Sequence, residues 1–396
     1  MLSPAEATSQ IRAHVQQLPA EQRPLHAAVG GVLRATVHAT RDQPPFDRVT
    51  MDGIAFASAV FAQGQRRFRV CGTQAAGAPP ITLPERDGCI EVMTGAIIPE
   101  GCDCVVPVEQ ITTSDGYAQI TGDIAVTSGL NVHRRGLDCA AGQRLLESGT
   151  RLGPPEIAVL ASNGVTNVPV SRDPRIAVIS TGDELVEPGE QPAGWQIYRS
   201  NAYAIVAALK RRGYAHIASD HVNDDLESLT QQLGKHLREN DVLILSGGVS
   251  MGRFDYVPRV LDELGVRRIF HKISQRPGKP MWFGIGPSGQ AVYALPGNPV
   301  STLMCLARYV YEGLDVMRGI SDTTTATTVV MDSNFEVKPS LTFFLPVALG
   351  GHARAKPRPT QGSGDFTSLL GTDGFVELPP GPALVQEGTP VPFYSW

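Results

Sequence analysis

The chain has 396 residues, and its 34 lysine and arginine residues against 39 aspartate and glutamate residues give a formal net charge of −5 at pH 7. This charge excludes a strongly basic protein that coats nucleic acid. At about 150 residues per domain, the length leaves room for two to four domains. The 41 glycines and 31 prolines predict a folded chain that is rich in turns.

The cysteines and the N-terminus favour a reduced, cytoplasmic protein. The six cysteines form no C-x-x-C pair and lack the spacing of a disulfide framework or a zinc ribbon, so we expect free thiols. The first thirty residues lack the basic end and apolar core of a secretion signal. No apolar run approaches the roughly 20 residues of a membrane-spanning helix, so no membrane association is expected.

The hydrophobic pattern changes twice along the chain, near residues 172 and 320. Residues 1–40 begin with one or two helices, and residues 41–172 hold short β-type runs such as RRFRVCG and GCIEVMTG. From 175 to 317, β-branched runs alternate with amphipathic stretches, which predicts a mostly parallel α/β domain. The short β-type runs of residues 321–396 predict a small β-barrel or sandwich.

Within the α/β region, the alternation predicts individual elements. The predicted strands are 175–180, 216–222, 241–246, 268–274, 281–285 and 292–295, and the predicted helices are 201–213, 226–240, 255–265 and 300–317. Ligands of an open parallel sheet gather at the carboxyl ends of its strands. The polar segments expected there are STGDE (180–184), NDD (223–225), SGGVSMGRFD (246–255) and LPGNPVS (295–301).

The segment SGGVSMG is rich in glycine and precedes a predicted helix. Gly247, Gly248 and Gly252 leave backbone N–H groups free to surround an anion such as a phosphate. A tight turn without a ligand is the alternative interpretation. The spacing of the glycines excludes a P-loop and a dinucleotide-binding fingerprint.

The same segment matches G-x-S-x-G, the nucleophile elbow of serine hydrolases, around Ser250. An acid and a histidine should follow in the chain, and Asp332 and His352 could take these roles. Both lie in the β-rich tail and not after strands of the α/β sheet. A serine hydrolase is therefore a remote alternative.

Several carboxylates are expected at the same edge of the sheet. They are Asp183, Glu184, Asp224, Asp225 and Asp255. Crowded carboxylates repel one another unless a cation intervenes, and their oxygen atoms suit Mg²⁺, which usually binds together with substrate phosphates. Asp224 or Asp225 could instead cap the helix that begins at residue 226.

A basic segment, HKISQRPGKP (271–280), carries Lys272, Arg276 and Lys279 on a strand and the following turn. These cations could clamp an oxyanion such as phosphate, sulfate or a metal oxyanion, although a solvated basic turn is the commoner outcome. In LPGNPVS, Asn298 and Ser301 lie at the start of the last predicted helix, whose free N–H groups offer a further anion site.

Further polar clusters lie in the N-terminal half: PPFDRVTMDG (44–53), MTGAIIPEG (93–101) and NVHRRGLD (131–138). Asp52-Gly53 and Thr94-Gly95 are turns by default. They bear on the α/β site only if another domain or another subunit brings them there.

Together, these motifs resemble the MoeA/gephyrin E-domain family, the molybdopterin molybdenumtransferases. The matching segments appear in the family's order and spacing across nearly the whole chain: PPFDRVTMDGIA, MTGAIIPEGCDCVVPVE, NVHRRGLD, ISTGDELVEPG, SGGVSMGRFDY, RPGKP and LPGNPVS. The resemblance implies a multidomain α/β plus β protein. Its parts would be an elongated domain (1–43 and 141–172), an inserted β-rich domain (44–140), a MogA-like α/β domain (173–320) and a C-terminal β-barrel (321–396).

The resemblance also implies a function. The family inserts molybdate into adenylylated molybdopterin, which releases AMP and molybdenum cofactor, with a divalent cation such as Mg²⁺ assisting. It forms homodimers whose cleft combines loops of both subunits. A molybdopterin adenylyltransferase and apo-molybdoenzymes are the further partners that this activity suggests. A pterin-binding or scaffold homologue without catalysis is the alternative.

Roles for individual residues follow from the family's motifs. Gly247, Gly248, Ser250 and Gly252 would hold the pterin phosphate. Lys272, Arg276, Lys279, Asn298, Ser301 and Ser363 would bind substrate, with molybdate at the cations. The catalytic set would be Asp52, Thr94, Asp138, Glu184, Asp224 and Asp255, of which Asp224 and Asp255 would bind the metal.

Three positions depart from the family's pattern. Where many members have an arginine in a segment resembling FLRV, this chain has Pro346. Arg354, Lys356 or Arg358 could replace that arginine as the expected molybdate ligand. Arg276 stands where the family often has lysine, which keeps the charge but changes its geometry. Arg199 replaces an acid in the segment IYRSN.

Overall fold

A computed structural model describes residues 1–248, 256–320, 326–337, 340–381 and 383–396. The chain separates into two compact units. The first consists of Met1–Ala35, Ser148–Gly153 and Asn167–Trp396, and the second consists of Thr36–Glu147 and Pro154–Thr166. This division groups segments 36–43 and 154–166 with residues 44–140, and the four domain boundaries suggested by the sequence stay predictions.

The N-terminal segment of the first unit contains α1 (Pro4–His14) and β1 (Ala20–Pro24). Helix α1 begins with a capping box, because the hydroxyl of Ser3 accepts the backbone N–H of Glu6 and the Glu6 carboxylate accepts the backbone N–H of Ser3. Ala7 and Ile11 on one face of α1 are fully buried in the core of the α/β domain. The helix is therefore fixed by packing as well as by its cap.

The second unit is rich in β-structure, as predicted. Its elements are β2 (Val37–His38), β3 (Arg48–Val49), β4 (Gly53–Phe56), α2 (Ser58–Ala62), β5 (Arg67–Gln74), β6 (Gly88–Val92), β7 (Cys104–Pro107), β8 (Ile111–Ser114), β9 (Tyr117–Ile120), β10 (Val132–His133), β11 (Arg144–Leu146) and α3 (Pro154–Ser162). A six-stranded sheet has the order β7-β4-β6-β5-β9-β8. In its core the rings of Phe56 and Phe68 stack with centroids 4.4 Å apart.

The α/β domain of the first unit follows the predicted alternation. Its elements, after β12 (Asn167–Ser171), are β13 (Ile176–Thr181), β14 (Leu185–Val186), β15 (Ile197–Tyr198), α4 (Ser200–Arg211), β16 (Ile217–Val222), α5 (Leu226–Glu239), β17 (Val242–Ser246), α6 (Val257–Glu263), β18 (Arg267–His271), β19 (Gln275–Arg276), β20 (Trp282–Ile285), β21 (Ala291–Leu295), α7 (Pro299–Cys305), a π-turn (Leu306–Val310) and α8 (Tyr311–Arg318). The main sheet has the order β16-β13-β17-β21-β20-β18, and β20 is the one strand that runs opposite to the other five.

Successive side chains of the buried strands pack on opposite faces of this sheet, because a strand repeats every two residues. Ile176 and Val178 of β13 pack with α1, α4, α7 and α8, whereas Ala177 and Ile179 pack with α5 and α6. Helices therefore cover both faces. This explains why the strands read as continuous apolar runs and not as alternating ones.

The C-terminal region forms a closed barrel, as the family resemblance implies. Its strands are β22 (Thr327–Met331), β23 (Phe335–Glu336), β24 (Thr342–Gly350), β25 (Arg354–Pro357), β26 (Gly374–Leu378), β27 (Leu384–Val385) and β28 (Pro390–Ser395). The ring runs β24-β25-β22-β28-β26 and closes by pairing β26 with β24. Strand β19 extends this sheet by pairing in parallel with β24, which connects the α/β domain to the barrel.

Two predicted elements of the α/β domain differ in the structure. The helix predicted over 300–317 is present, but the π-turn interrupts it between α7 and α8. The strand predicted over 268–274 ends at His271, because the backbone of Lys272 has a φ of 73°, which is outside the β region.

In the described part of the chain, no helix is both long enough and apolar enough to cross a membrane. All six cysteines lie among the described residues and are free thiols, which confirms that prediction. Burial raises the pKa of Cys89, Cys102, Cys104 and Cys305 to about 12.

Helix α8 packs closely against β21 at Gly313. A Cβ atom on Gly313 would lie 1.8 Å from the hydroxyl oxygen of Tyr293 and 3.3 Å from a methyl carbon of Ile11. We expect Gly313→Ala to lower the free energy of unfolding by about 1–3 kcal/mol, which outweighs the roughly 1 kcal/mol that alanine gains over glycine in a helix. Urea unfolding measures the change. Gly194→Ala is the control, because a Cβ there meets no described atom within 4 Å, and an equal effect of both variants would contradict the prediction.

Candidate active site

The carboxyl edge of the main sheet opens into a cavity of about 290 Å³, here called the sheet-edge cavity. Its walls are formed by residues 180–181, 184–185, 197–201, 246–247, 297–299 and 364. These residues come from the loops after β13, β17 and β21, from the start of α4 and from the barrel. The cavity therefore lies where the sequence predicted a ligand site.

The glycine loop after β17 approaches the neighbouring backbone too closely for a side chain. Gly247 has a φ of 102°, and a Cβ atom there would lie 2.8 Å from the carbonyl oxygen of Thr181. The side-chain amide of Asn201 donates to the Ser246 hydroxyl over 2.9 Å and to the Gly297 carbonyl oxygen over 2.7 Å. Asn201 thereby holds together the loops after β17 and β21, a role that sequence reasoning missed.

Three buried polar atoms belong to residues that line this cavity. The hydroxyls of Ser180 and Thr181 and the amide oxygen of Asn201 have no hydrogen-bond partner among the residues that the structure describes. Ser180 and Thr181 are 1% and 4% exposed. Leaving a buried polar atom unpaired costs about 1–3 kcal/mol, so these groups favour a polar partner in the cavity, either water or a polar ligand.

The acidic loops after β13 and β16 meet at the same edge. Glu184 lines the cavity, and the carboxylate of Asp183 accepts the backbone N–H of Asp224 over 3.1 Å. Asp225 caps α5 by accepting the Ser228 N–H over 2.8 Å, and this bond lowers its pKa below the usual value. Of the two acids for which a helix cap was the alternative, Asp225 is the cap.

A second cavity, of about 360 Å³, lies where the α/β domain meets the barrel, and it is here called the basic cavity. Its walls are formed by residues 275–280, 296, 298, 301, 341, 343–346 and 359–363. Arg276 and Lys279 are exposed in it, whereas Ser301 is buried. Lys272 does not line it, so the structure brings together two of the three cations of the segment HKISQRPGKP.

The two cavities share a wall. Asn298 lines both of them, and its side-chain amide donates to the Ser363 hydroxyl over 2.7 Å. The carbonyl oxygen of Ser363 accepts the N–H of Val300 in the first turn of α7 over 3.0 Å. These bonds between α7 and the barrel segment fix the boundary between the sheet-edge cavity and the basic cavity.

Arg354, Lys356 and Arg358, which could replace the missing barrel arginine, have different surroundings in the structure. Pro346 itself lines the basic cavity. Arg354 is bound to Asp332 and Glu387 over 2.7 and 2.6 Å, which raises its pKa. Arg358 lies directly opposite Pro346, whose carbonyl oxygen accepts its backbone N–H over 2.8 Å. Lys356 pairs with Ala348, two residues farther along β24.

Arg199, where the resemblance expects an acid, is 7% exposed. Its guanidinium donates to the carboxylate of Glu187 and, over 2.5 Å, to the hydroxyl of Ser219. The backbone N–H of Arg199 donates to the carbonyl oxygen of Val186 over 2.9 Å. Arg199 therefore anchors the segment between β14 and β15 at Glu187, and Arg199 itself lines the sheet-edge cavity.

The second unit holds the three candidate residues of the N-terminal half. Asp52 accepts the backbone N–H of Thr94 over 2.6 Å and its hydroxyl over 2.7 Å, and these bonds lower the pKa of Asp52. Asp52 lines a cavity of about 590 Å³ in this unit, and Asp138 lies 2.8 Å from the imidazole of His133. Thus Asp52 and Thr94 are hydrogen-bonded to each other, and Asp138 pairs with His133.

Some predicted site residues are outside the described part of the chain: Ser250, Gly252 and Asp255. Among the described residues, no group of three or more His, Cys, Asp or Glu side chains is arranged to hold a metal ion. Segment 359–362 was missed as a cavity wall, because nothing in its sequence distinguishes it from other β-barrel segments, whereas Pro346 of segment 341–346 was indicated by the family resemblance.

Comparison with known proteins gives matches along almost the whole chain. The MoeA N-terminal region (domains I and II) matches residues 2–164, a probable molybdopterin-binding domain matches 177–315, and the MoeA C-terminal region (domain IV) matches 328–396. A molybdopterin molybdenumtransferase from Synechocystis sp. is 41% identical to this chain over 401 residues. The match covers 100% of both proteins. The molybdopterin molybdenumtransferase of Synechococcus elongatus is 33% identical over 99% of this chain and 98% of its own length.

Solved structures agree with these matches. The crystal structure of a molybdopterin biosynthesis MoeA protein from Pyrococcus horikoshii has a TM-score of 0.82 to this chain at 30% sequence identity. The match covers 100% of this chain and 99% of that protein. The similarity therefore extends over the whole length of the chain, with the order of its regions preserved.

Proposed function

The chain belongs to the MoeA family of molybdopterin molybdenumtransferases, enzymes of molybdenum cofactor biosynthesis, and on that premise we propose that it inserts molybdate into adenylylated molybdopterin and releases AMP. The observation that carries this proposal is the shared wall at Asn298. On one side lies a cavity with unpaired hydroxyl and amide groups, and on the other lies a cavity with two exposed cations. A substrate that spans this wall would bring its phosphate groups close to a bound oxyanion.

The sheet-edge cavity would hold the phosphorylated part of the pterin. The hydroxyls of Ser180 and Thr181 can donate to phosphate oxygens. Gly247 has no side chain that would stand between its backbone and a bound phosphate. The amide oxygen of Asn201 is an acceptor and suits a hydroxyl or amino group of the same ligand. These groups are already held in place, so binding would require little reorganisation.

The basic cavity would hold molybdate, a tetrahedral dianion. Arg276 offers a planar fork of N–H donors, Lys279 a compact ammonium group and Ser301 a hydroxyl. The bond between Asn298 and Ser363 would keep the two substrates at a fixed separation. Positioning of this kind converts a bimolecular step into an effectively intramolecular one, and no protein nucleophile is needed.

The acidic loops after β13 and β16 would supply one or two carboxylates to a Mg²⁺ ion, which prefers oxygen ligands and commonly binds in this way together with substrate phosphates. Asp183, Glu184 and Asp224 supply only oxygen donors at this edge. Asp224 would hold the ion, together with Asp255, which is not among the described residues. A bound Mg²⁺ would supply positive charge that stabilises the phosphate groups of the leaving AMP.

The homodimer, the adenylyltransferase that would supply the substrate and the apo-molybdoenzymes that would receive the product rest on family membership. The roles of Asp52, Thr94 and Asp138 in catalysis rest on the same basis. Light scattering of the purified chain tests the dimer directly, since a monomer of 42.3 kDa would have half the mass of the proposed assembly.

The proposed reaction is tested by incubating the purified chain with adenylylated molybdopterin, Mg²⁺ and molybdate. We expect AMP release that depends on molybdate, and we expect Glu184→Gln to slow it about tenfold or more, because the substrate would lose a charged positioning group in the cavity. Glu190→Gln is the matched control, since Glu190 is exposed on the same segment and does not line the cavity.

Wild-type protein that binds the adenylylated pterin but releases no AMP would identify a non-catalytic pterin-binding homologue. Labelling of Ser250 by a fluorophosphonate probe would identify a serine hydrolase. Asp332, the acid that such a hydrolase would need, is bound to Arg354 in the barrel, and we expect no labelling.

A further inference from the structure

A fully buried glutamine lies beneath the loop that carries the two cations of the basic cavity. Gln275 is 0% exposed, and both ends of its side-chain amide are bonded. The amide nitrogen donates to the carbonyl oxygen of Pro277 over 3.1 Å, and the amide oxygen accepts the hydroxyl of Tyr309. Tyr309 is thus connected, through one side chain, to the backbone between Arg276 and Lys279.

The loop is also packed tightly against this amide. Gly278 has a φ of 89°, and a Cβ atom there would lie 2.6 Å from the Gln275 amide nitrogen and 2.7 Å from the Cys305 sulfur. The thiol of Cys305 donates weakly to the carbonyl oxygen of Gly278 over 3.8 Å. The position of the loop is therefore determined by buried groups of β19 and α7.

The tyrosine belongs to the π-turn between α7 and α8, a turn with one residue more than an α-helical turn. Tyr309 lies within this turn, is 0% exposed and has its pKa raised well above the usual value by burial. It remains a neutral phenol, which can donate to the Gln275 amide oxygen.

We propose that the buried hydrogen bond from Tyr309 to Gln275 positions the Arg276–Lys279 loop, and that it thereby sets the affinity of the basic cavity for its oxyanion. Tyr309 and Gln275 are positioning residues, because they act through the loop and lie beneath it. The proposal rests on the proposed function, in which molybdate is that oxyanion. Without the bond, the loop would occupy its binding geometry for a smaller fraction of the time, and the apparent affinity would fall by that fraction.

The test is Tyr309→Phe, which removes one hydroxyl from the buried side chain. We expect the KM for molybdate to rise about threefold to tenfold, with kcat at saturating molybdate and the KM for adenylylated molybdopterin each within about twofold of wild type. Equilibrium dialysis with molybdate alone should show the same loss of affinity. Gln275→Met removes the hydrogen bonds of the side-chain amide at similar volume. The molybdate KM should rise in this variant at least as much as in Tyr309→Phe.

The chain offers a matched control in Tyr311→Phe. Tyr311 is 1% exposed in the next helical segment, and its hydroxyl has no hydrogen-bond partner among the described residues. Equal molybdate KM values for the two Tyr→Phe variants would overturn the positioning role, as would a loss of kcat with an unchanged KM. Failure of the proposed function is distinct, because wild-type protein itself would then show no molybdate-dependent release of AMP.

Discussion

Replacing Lys279 with alanine is expected to raise the KM for molybdate by about 10- to 100-fold, because a hydrogen bond to a charged group contributes about 1.5–3 kcal/mol. Lys279 is exposed in a cavity that it shares with Arg276 and Ser301, and without the barrel arginine Lys279 and Arg276 would be the cations that balance the charge of the proposed dianion. The KM for adenylylated molybdopterin should stay within about twofold of wild type, since the sheet-edge cavity is unchanged. Steady-state AMP release measured at varied molybdate concentration gives both constants.

The comparison variant is Lys272→Ala. The family resemblance assigns Lys272 to the molybdate site, whereas the structure places it outside the walls of the basic cavity. We expect Lys272→Ala to change the molybdate KM by less than about threefold, which is within the range of a screened charge at a distance. A larger effect of Lys272→Ala than of Lys279→Ala would mean that molybdate binds elsewhere.

Most of the fold was predictable from the period of the hydrophobic pattern. In the α/β domain the buried strands are short apolar runs and the helices are amphipathic, so the two types are easily separated. Gly213, for example, marks the end of α4 with a φ of 88°. The parallel order of the strands then placed STGDE, SGGVSMG and LPGNPVS at one edge. Residues 180–181, 184, 246–247 and 297–299 of these segments line the sheet-edge cavity.

What could not be predicted depends on tertiary packing. Nearly all residues of 300–317 are buried, so the segment has no polar face that would reveal the extra residue of the π-turn in the sequence. The choice between barrel and sandwich depended on the pairing of β26 with β24, which closes the ring over a long sequence separation. Local propensity contains no information about such pairings.

In the candidate site, too, the residues with local sequence signals could be predicted and those placed by tertiary packing could not. The cations of the basic cavity and the residues of LPGNPVS were identifiable because charge and helix-start signals are local. The opposite wall, residues 341–346, was indicated only at Pro346, by the family resemblance, because the wall is placed by the parallel pairing of β19 with β24. Gln275 and Tyr309 were missed for a related reason: their hydrogen bond joins β19 to the π-turn over a sequence separation of 34 residues, which no local pattern specifies.

The same π-turn contributes to the stability of the first unit, and Glu377→Gln is expected to lower the free energy of unfolding by about 3 kcal/mol. Arg308 of the π-turn is 6% exposed and donates to Glu377 of the barrel over 2.6 Å and to the Thr8 hydroxyl of α1 over 2.7 Å. Glutamine keeps the shape but removes the negative charge, which leaves the guanidinium buried without a counter-ion. Urea unfolding monitored by circular dichroism measures the loss.

Glu387→Gln is the matched control, because it makes the same substitution in the same barrel and breaks an ion pair of the same length. Arg354 and Glu387 lie 2.6 Å apart, but their side chains are 39% and 60% exposed, against 7% and 17% for Arg308 and Glu377. Water and salt screen the exposed pair, and Arg354 keeps its ion pair with Asp332, so the loss should cost less than about 1 kcal/mol. At equal N–O distance, the difference between the two variants therefore measures the cost of leaving a buried guanidinium without a counter-ion. Similar losses in both would show that Arg308 finds another counter-ion or water when Glu377 is neutral, and the barrel would then be held to the π-turn by apolar packing alone.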